Sequence, residues 1–290
     1  MFKPFRKEIL ETLRCPECKN KVTLQSDQDT KPSRQYRCTS CTWISPDTAT
    51  PDFTPSEGLK LPNFAKDPDL IRFNQHRQAV FDYSHQHPLV SLVEESGHKT
   101  IRSFRQKLAT AQNKTSFVLD LGCGDGAHIP FMLPADIYLA ADINMHILET
   151  LVNRYPEIPA IRADGYDLPF ADNSFDAVIN VYNLEHMIYC DLCLEEMARV
   201  AKKDGDIFIS VPCEGGFAWS FGRYLSTAKN FSEADFDYLK ATSLEHVNCI
   251  WQLEKAIKRH FRIEKATGFP LPYMPNSLSL IKTYHCKLAS

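Results

Sequence analysis

The 290-residue sequence predicts an α/β protein, a mostly parallel sheet with crossover helices on both faces, preceded by a small cysteine-rich unit. Three observations predict it. From Phe117 onward, short runs rich in β-branched and aromatic residues alternate with segments of helical periodicity. The first of these runs, "VLDL", enters a turn carrying three glycines, Gly122, Gly124 and Gly126. Ahead of it, residues 10–43 hold two C-x-x-C pairs among polar residues.

The elements follow in order. Cys15 and Cys18 in "RCPEC" are separated by 19 residues from Cys38 and Cys41 in "RCTSC", a spacing that lets two knuckles converge on one tetrahedral ion. Four thiolates without a His favour Zn²⁺ or, less often, iron, and a closed four-ligand shell makes the site structural. A unit spanning residues 1–45 buries too little surface to fold unaided, and the metal supplies the deficit. Residues 46–64 are interrupted by prolines and read as a linker that keeps the two cores apart. The main domain then covers 65–290. Apolar spacing predicts two helices between Asp67 and Leu108, with a break near His87 and Pro88.

Strands are expected at "FVLDL", "IYLAADI", "AIRAD", "FDAVINVY" and "DIFISVP", with a short helix after the glycines and further helices near 145–154 and 190–202. Cys190 and Cys193 form a third C-x-x-C inside the last of these helices, where they are expected to be buried apolar residues. Residues 214–246 break the rhythm with Phe217, Trp219, Phe221, Tyr224, Phe231, Phe236 and Tyr238, a possible substrate lid. A helix near 249–260 and two strands, "FRIEKATGF" and "LSLIKTYHCKL", complete the chain.

Lys and Arg number 33 against 36 Asp and Glu, so no global basic field is present to grip nucleic acid. No apolar run reaches the roughly 20 residues of a membrane span, and the first residues do not read as a signal peptide. A cytoplasmic protein with reduced cysteines is expected.

The glycine turn fits both the G-x-G-x-x-G/A pattern of dinucleotide sites and a G-x-G-x-G pattern. Asp142, 22 residues after Asp120, ends the second strand where a carboxylate accepts ribose hydroxyls, and this suits either ligand. The third strand discriminates. In "IRADGYDLPFADNSFDAV" Asp164 stands at a strand end, able to accept from an adenine amino group.

In these residues the chain resembles the class I S-adenosylmethionine-dependent methyltransferases, in the branch of small-molecule and ubiquinone-type enzymes, over about 115–212. The resemblance implies a Rossmann-like sheet. It implies that Asp120, Gly122, Gly124 and Gly126 hold the methionine part of the cofactor, and that Asp142 takes the ribose with Ile143 beside the adenine. It further places Asp164 and Gly165 at the adenine and Asn180 along the amino-acid end. His186 resembles the His of the "LEH" segment common in that branch, as general base or substrate orienter. Glu185 is expected to hold that imidazole or cap the following helix, and Tyr83 and His246 are further candidates. The N-terminal segment resembles the zinc-ribbon activator subunits of tRNA and protein methyltransferases, and more distantly the ribbon ahead of ribosomal RNA guanine methyltransferases. Here it is fused to the enzyme domain and all four ligands are Cys.

Strand four carries no N-P-P-Y or D-P-P-Y, and no cysteine stands where a pyrimidine carbon methylase needs its nucleophile. The expected function is transfer of a methyl group from S-adenosylmethionine to an oxygen or nitrogen of a small-molecule or glycan-linked acceptor. Two other readings stay open: an RNA methyltransferase whose ribbon grips RNA, and a non-catalytic cofactor-binding scaffold whose ribbon recruits a partner. The oligomeric state is not legible.

Overall fold

Parallel strands need crossovers, and the predicted alternation delivers them. The structure, a computed structural model, describes residues 5–24, 35–46, 50–59, 67–73, 75–76, 87–112, 115–228, 231 and 235–289. The N-terminal unit contains helix α1 (Lys7–Thr12) and a hairpin of β1 (Val22–Leu24) and β2 (Tyr36–Cys38), paired antiparallel with Val22 opposite Cys38. A long helix, α2 (Pro88–Gln112), leads into the sheet; Pro88 suits its first turn because a proline there forfeits no helical hydrogen bond.

The sheet is built from β3 (Phe117–Leu121), β4 (Ile137–Asp142), β5 (Ala160–Arg162), β6 (Phe175–Val181), β7 (Ala201–Pro212), β8 (Phe261–Phe269) and β9 (Ile281–Leu288). Their order across the sheet is β5-β4-β3-β6-β7-β9-β8, parallel except for β9, which runs antiparallel to both β7 and β8. The order reverses at β3, which lies between β4 and β6, so the crevice of the fold opens at the carboxyl end of β3. The helices between the strands are α3 (Met145–Arg154), α4 (Cys190–Val200), α5 (Phe217–Arg223), α6 (Tyr238–Glu245) and α7 (Ile250–His260).

The core has two sides because successive strand residues face opposite ways. Val118, Tyr138, Ala140 and Ile179 pack with Ile101 and Phe104 of α2 and Leu148, Leu151 and Val152 of α3. Leu119, Leu121, Leu139, Ile161 and Val178 pack with α4 and α7 on the other side. Cys190 and Cys193 belong to the buried stripe of α4 with Leu194, Met197 and Val200, as helical spacing requires.

Several expectations differ from the structure. The segment after the glycine turn is a single 3₁₀ turn, Ile129–Phe131, because Pro130 stands within it and Pro134 soon after. The aromatic stretch divides in two. Phe231, Phe236 and Tyr238 pack with Leu70 and Phe73, whereas Phe217, Phe221 and Tyr224 are exposed.

The proline-rich segment does not keep two cores apart. Phe53 is fully buried, with ring centroids 5.3 Å from Tyr36 and 5.2 Å from Trp43, and the same apolar cluster continues to Leu119, Leu139, Ile161 and Phe170. Backbone bonds tie the units together as well: Arg14 N–H to the Pro169 carbonyl and Ala171 N–H to the Thr12 carbonyl, both 2.8 Å. A unit this small gains its missing apolar burial from the face of the sheet. Among the described residues, no helix is long and apolar enough to cross a membrane.

Phe53→Ala should therefore lower the unfolding free energy by about 3–5 kcal/mol. Unfolding of the wild-type chain in urea should follow one transition, the same by tryptophan fluorescence and by far-UV circular dichroism. Two separated transitions would mean that the units fold independently.

Candidate cofactor and acceptor site

The glycine turn leaves the central strand with left-handed backbone, φ being 71° at Gly122, 55° at Gly124 and 91° at Gly126. The three positions do different work. A Cβ at Gly122 would strike the Asn183 side chain at 2.4 Å, so this glycine permits the close approach of the loop after β6. A Cβ at Gly124 would meet nothing within 4 Å, so backbone there faces open space. One at Gly126 would meet Ile129 at 2.6 Å.

Three carboxylates lie at the ends of neighbouring strands. Asp120 in β3 is 1% exposed and accepts a hydrogen bond from the Tyr138 hydroxyl of β4; burial pushes its carboxyl up to about 7, against the pull of that hydroxyl. Asp142 ends β4, and its two oxygens accept from Gly124 N–H (3.0 Å) and Asn144 N–H (2.8 Å). Burial raises its carboxyl despite these bonds. Asn144 in turn caps α3, accepting from His146 and Ile147. Asp164 follows β5 and accepts from Tyr166 N–H at 2.9 Å. Ile143 is 50% exposed beside Asp142, and Gly165 lies where an added Cβ would be 3.3 Å from Met187.

Asn180 lies inside the sheet. It is fully buried in β6, its side-chain N–H donates to the Leu121 carbonyl at 3.0 Å, and its Oδ1 has no partner among the described residues. It thus braces the strand that enters the glycine turn. Tyr182, just past β6, has φ 53°, a strained value for a tyrosine. Its hydroxyl donates to the Glu94 carbonyl (2.8 Å) and accepts from Gly97 N–H (3.2 Å), which anchors the strained residue to α2.

His186 lies in a 3₁₀ turn, Leu184–His186, on the exposed side. Its Nδ1 is 3.1 Å from the Glu245 carbonyl, and since a carbonyl only accepts, Nδ1 carries a proton and donates to it. The ring meets His246 edge-on with centroids 4.6 Å apart. His246 pairs with Glu214, which also holds Arg223, and Arg223 lies 5.3 Å over the Trp219 ring. His186 and His246 are thus brought together, while Tyr83 falls outside the described residues. Glu185 faces inward. It is 1% exposed, its Oε2 has no partner among the described residues, and burial pushes its carboxyl up to about 7 against the opposing pull of His246 and Arg223.

Four features escaped sequence reasoning: Asn183 over Gly122, the Tyr138–Asp120 bond, the strained Tyr182, and a buried His98–His128 pair with Nδ1 atoms 3.0 Å apart. Only His128 carried a signal, its place in "GCGDGAH".

The four N-terminal thiols converge. Their sulfur atoms all lie within 4.8 Å of one another, with Cys15 to Cys41 at 3.6 Å and Cys18 to Cys38 at 3.4 Å. A tetrahedral ion with metal–sulfur bonds of about 2.3 Å spaces its ligands by about 3.8 Å. The thiols fit such an ion, and none is in a disulfide. Ser40 N–H points to Cys38 Sγ (3.3 Å), and hydrogen bonds from Asn20 hold the Cys18 thiol down to about 6. Cavities of about 290 and 420 Å³ lie elsewhere, one lined by Arg105, Asp176 and Asp204 at the amino ends of the central strands and one by Arg14 and Arg199 where the N-terminal unit meets the sheet domain.

Residues 119–209 match the family of methyltransferase domains. The matched stretch contains the glycine turn, all three carboxylates and His186. The chain is 40% identical over 115 residues to a demethylmenaquinone methyltransferase of Corynebacterium urealyticum, covering 38% of this chain and 49% of that protein. It is 28% identical over 149 residues to a fatty-acid O-methyltransferase of Mycolicibacterium smegmatis, covering 48% and 52%. The chain thus spans about half the length of these curated relatives. Among solved structures, the magnesium protoporphyrin IX methyltransferase of Synechocystis with bound S-adenosylhomocysteine aligns with TM-score 0.52 at 14% identity, over 77% of this chain and 100% of that one. An S-adenosylmethionine-dependent methyltransferase from Clostridium acetobutylicum aligns with TM-score 0.54 at 13% identity, over 75% and 100%. The fold is the Rossmann-like α/β methyltransferase fold.

Burial holds the His98 ring down to about 4, and His128 well below its usual value, so both stay neutral in the folded protein where the unfolded chain would take up protons below about 6.5. The stability they contribute is fully present above pH 6.5 and is lost as the pH falls through about 4. Asp120 and Glu185, both raised to about 7, act in the opposite direction. His98→Gln should therefore shrink the drop in melting temperature between about pH 6.5 and 4.5 relative to the wild type. An equal drop in both proteins would remove the pair from the acid response.

Proposed function

We propose that the chain is an S-adenosylmethionine-dependent methyltransferase acting on an apolar small molecule, with a structural Zn²⁺ held by Cys15, Cys18, Cys38 and Cys41. The observation that carries the cofactor reading is the row of Asp120, Asp142 and Asp164 at the carboxyl ends of adjacent strands, beside an uncovered glycine backbone at Gly124. Asp142 retains lone pairs for ribose hydroxyls beyond its two backbone bonds, and Ile143 offers an exposed apolar face to adenine. The cofactor supplies an activated methyl group; the chain's task is to hold the acceptor in line and take up its proton.

Exposed Phe217, Phe221 and Tyr224 near the Arg223–His246 cluster support an apolar acceptor over a glycan-linked one. The relatives named for demethylmenaquinone and for a fatty acid point the same way. Lys19 and Arg14 of the ribbon serve Asp167 and nearby carbonyls, which weighs against a ribbon built to grip RNA. With Nδ1 donating to the Glu245 carbonyl, a neutral His186 ring has Nε2 as its basic atom, and in this reading that atom accepts a proton from an acceptor oxygen or nitrogen.

Calorimetry with S-adenosylhomocysteine tests the cofactor reading. Asp142→Ala should weaken binding by about 1.5–3 kcal/mol, the worth of hydrogen bonds to a charged group. Unchanged affinity, or preference for NAD, would overturn it. With an acceptor in hand, His186→Ala should lower kcat about 10²–10⁴ fold with cofactor affinity unchanged. A rise in KM that His186→Gln repairs would assign it to orienting the acceptor.

A further inference from the structure

The segment after the second knuckle does more than connect. Residues 51–53 lie alongside β5 in parallel, with Phe53 N–H to the Arg162 carbonyl and Arg162 N–H to the Pro51 carbonyl, both 2.9 Å. They add a short strand to the edge of the sheet nearest Asp164. The Arg162 side chain then joins two places at once. Its Nη1 donates to Asp52 Oδ2 at 2.8 Å, and its Nε donates to the carbonyl of Ile143 at 2.9 Å. Asp52 is further fixed by the N–H (2.9 Å) and hydroxyl (2.7 Å) of Thr54.

Beyond Thr54 the chain is tied to the metal knuckle. Ser56 N–H donates to the carboxylate of Glu17, the residue before Cys18, at 2.7 Å. Two residues later the chain reaches Asp164, where a Cβ on Gly58 would lie 3.7 Å from Oδ2. Lys19, just after the same knuckle, pairs with Asp167 at 2.6 Å and fixes the turn that follows Asp164. Leu59 beside Gly58 and Ile143 beside Asp142 are 45% and 50% exposed, two apolar surfaces that a planar base can cover.

We propose that residues 52–59 form one wall of the adenine end of the cofactor site, and that Glu17 of the first knuckle holds this wall in place. The ribbon is thereby a working part of the cofactor site. The inference rests on the cofactor reading above. It assigns positioning roles to Glu17, Asp52 and Arg162, and a clearance role to Gly58, whose missing side chain leaves room against Asp164. Because the thiol cluster shapes the knuckle that carries Glu17, an ion held there supports adenosine affinity from outside the site.

The test measures S-adenosylhomocysteine affinity by calorimetry on the full chain, with bound zinc counted by elemental analysis and folding checked by thermal melts. Glu17→Ala should weaken binding about tenfold, the scale of one lost hydrogen bond to a charged group, with zinc still bound. Gly58→Leu should weaken it at least as much, and Gly58→Ala little, since 3.7 Å is ordinary contact. Hydrogen exchange supplies a second readout: the ligand should slow exchange of the Phe53–Leu59 amides in the wild type, and Glu17→Ala should speed it without ligand. A wild type that binds the ligand without protecting these amides, or folded Glu17→Ala and Gly58→Leu variants with wild-type affinity, would overturn the inference alone. A wild type that binds no S-adenosylhomocysteine would overturn the cofactor reading and this inference with it.

Discussion

The placement of β3 between β4 and β6 is the constraint on which the other features depend. The connection after β3 runs to β4 and the connection after β6 runs to β7, in opposite directions across the sheet, so a crevice opens at the carboxyl ends of these two neighbouring strands. The glycine turn occupies that position because left-handed backbone is needed to leave the strand at once. The Gly124 N–H then meets Asp142 of the neighbouring strand. The parallel register, with Asp120 opposite Ala140 and Asp142 opposite Arg162, carries the row of acids across three strands.

The crevice holds ionisable groups under conditions that a purely structural core would avoid. Asp120 and Glu185 are buried with carboxyls pushed up to about 7, and His98 and His128 are buried neutral. Each such group costs free energy that apolar residues of similar volume would save. Tyr182 adds backbone strain at the same place. These costs gather at the carboxyl end of the central strands, where the proposed cofactor site lies.

The N-terminal cysteine unit is joined to the rest by one continuous apolar cluster and by hydrogen bonds at two places, the turn near Pro169 and the edge of β5. Its own core is too small to stand alone. Docking on the sheet supplies the missing burial and leaves the segment 50–59 beside the strand ends. These contacts give the N-terminal unit a fixed position relative to the carboxylates, which a flexible tether would not.

The sequence by itself determined the alternation of strands and helices, the two convergent cysteine pairs, and the strand-end and turn positions of Asp120, Asp142, Asp164 and the three glycines. Each is a local property: periodicity, spacing within one turn, or a residue type at a strand end. Tertiary structure decided what depends on contacts between distant positions. Asn180 became a brace for Leu121, and His186 met the Glu245 carbonyl 59 residues away. Phe53 entered the core beneath the sheet, and Arg162 joined Asp52 to Ile143 across 110 residues of chain. Prolines in the linker signalled only that a helix was barred; where the extended chain would lie was set by the unpaired edge of β5 and the apolar face beneath it, neither of which has a signature in the linker's own residues.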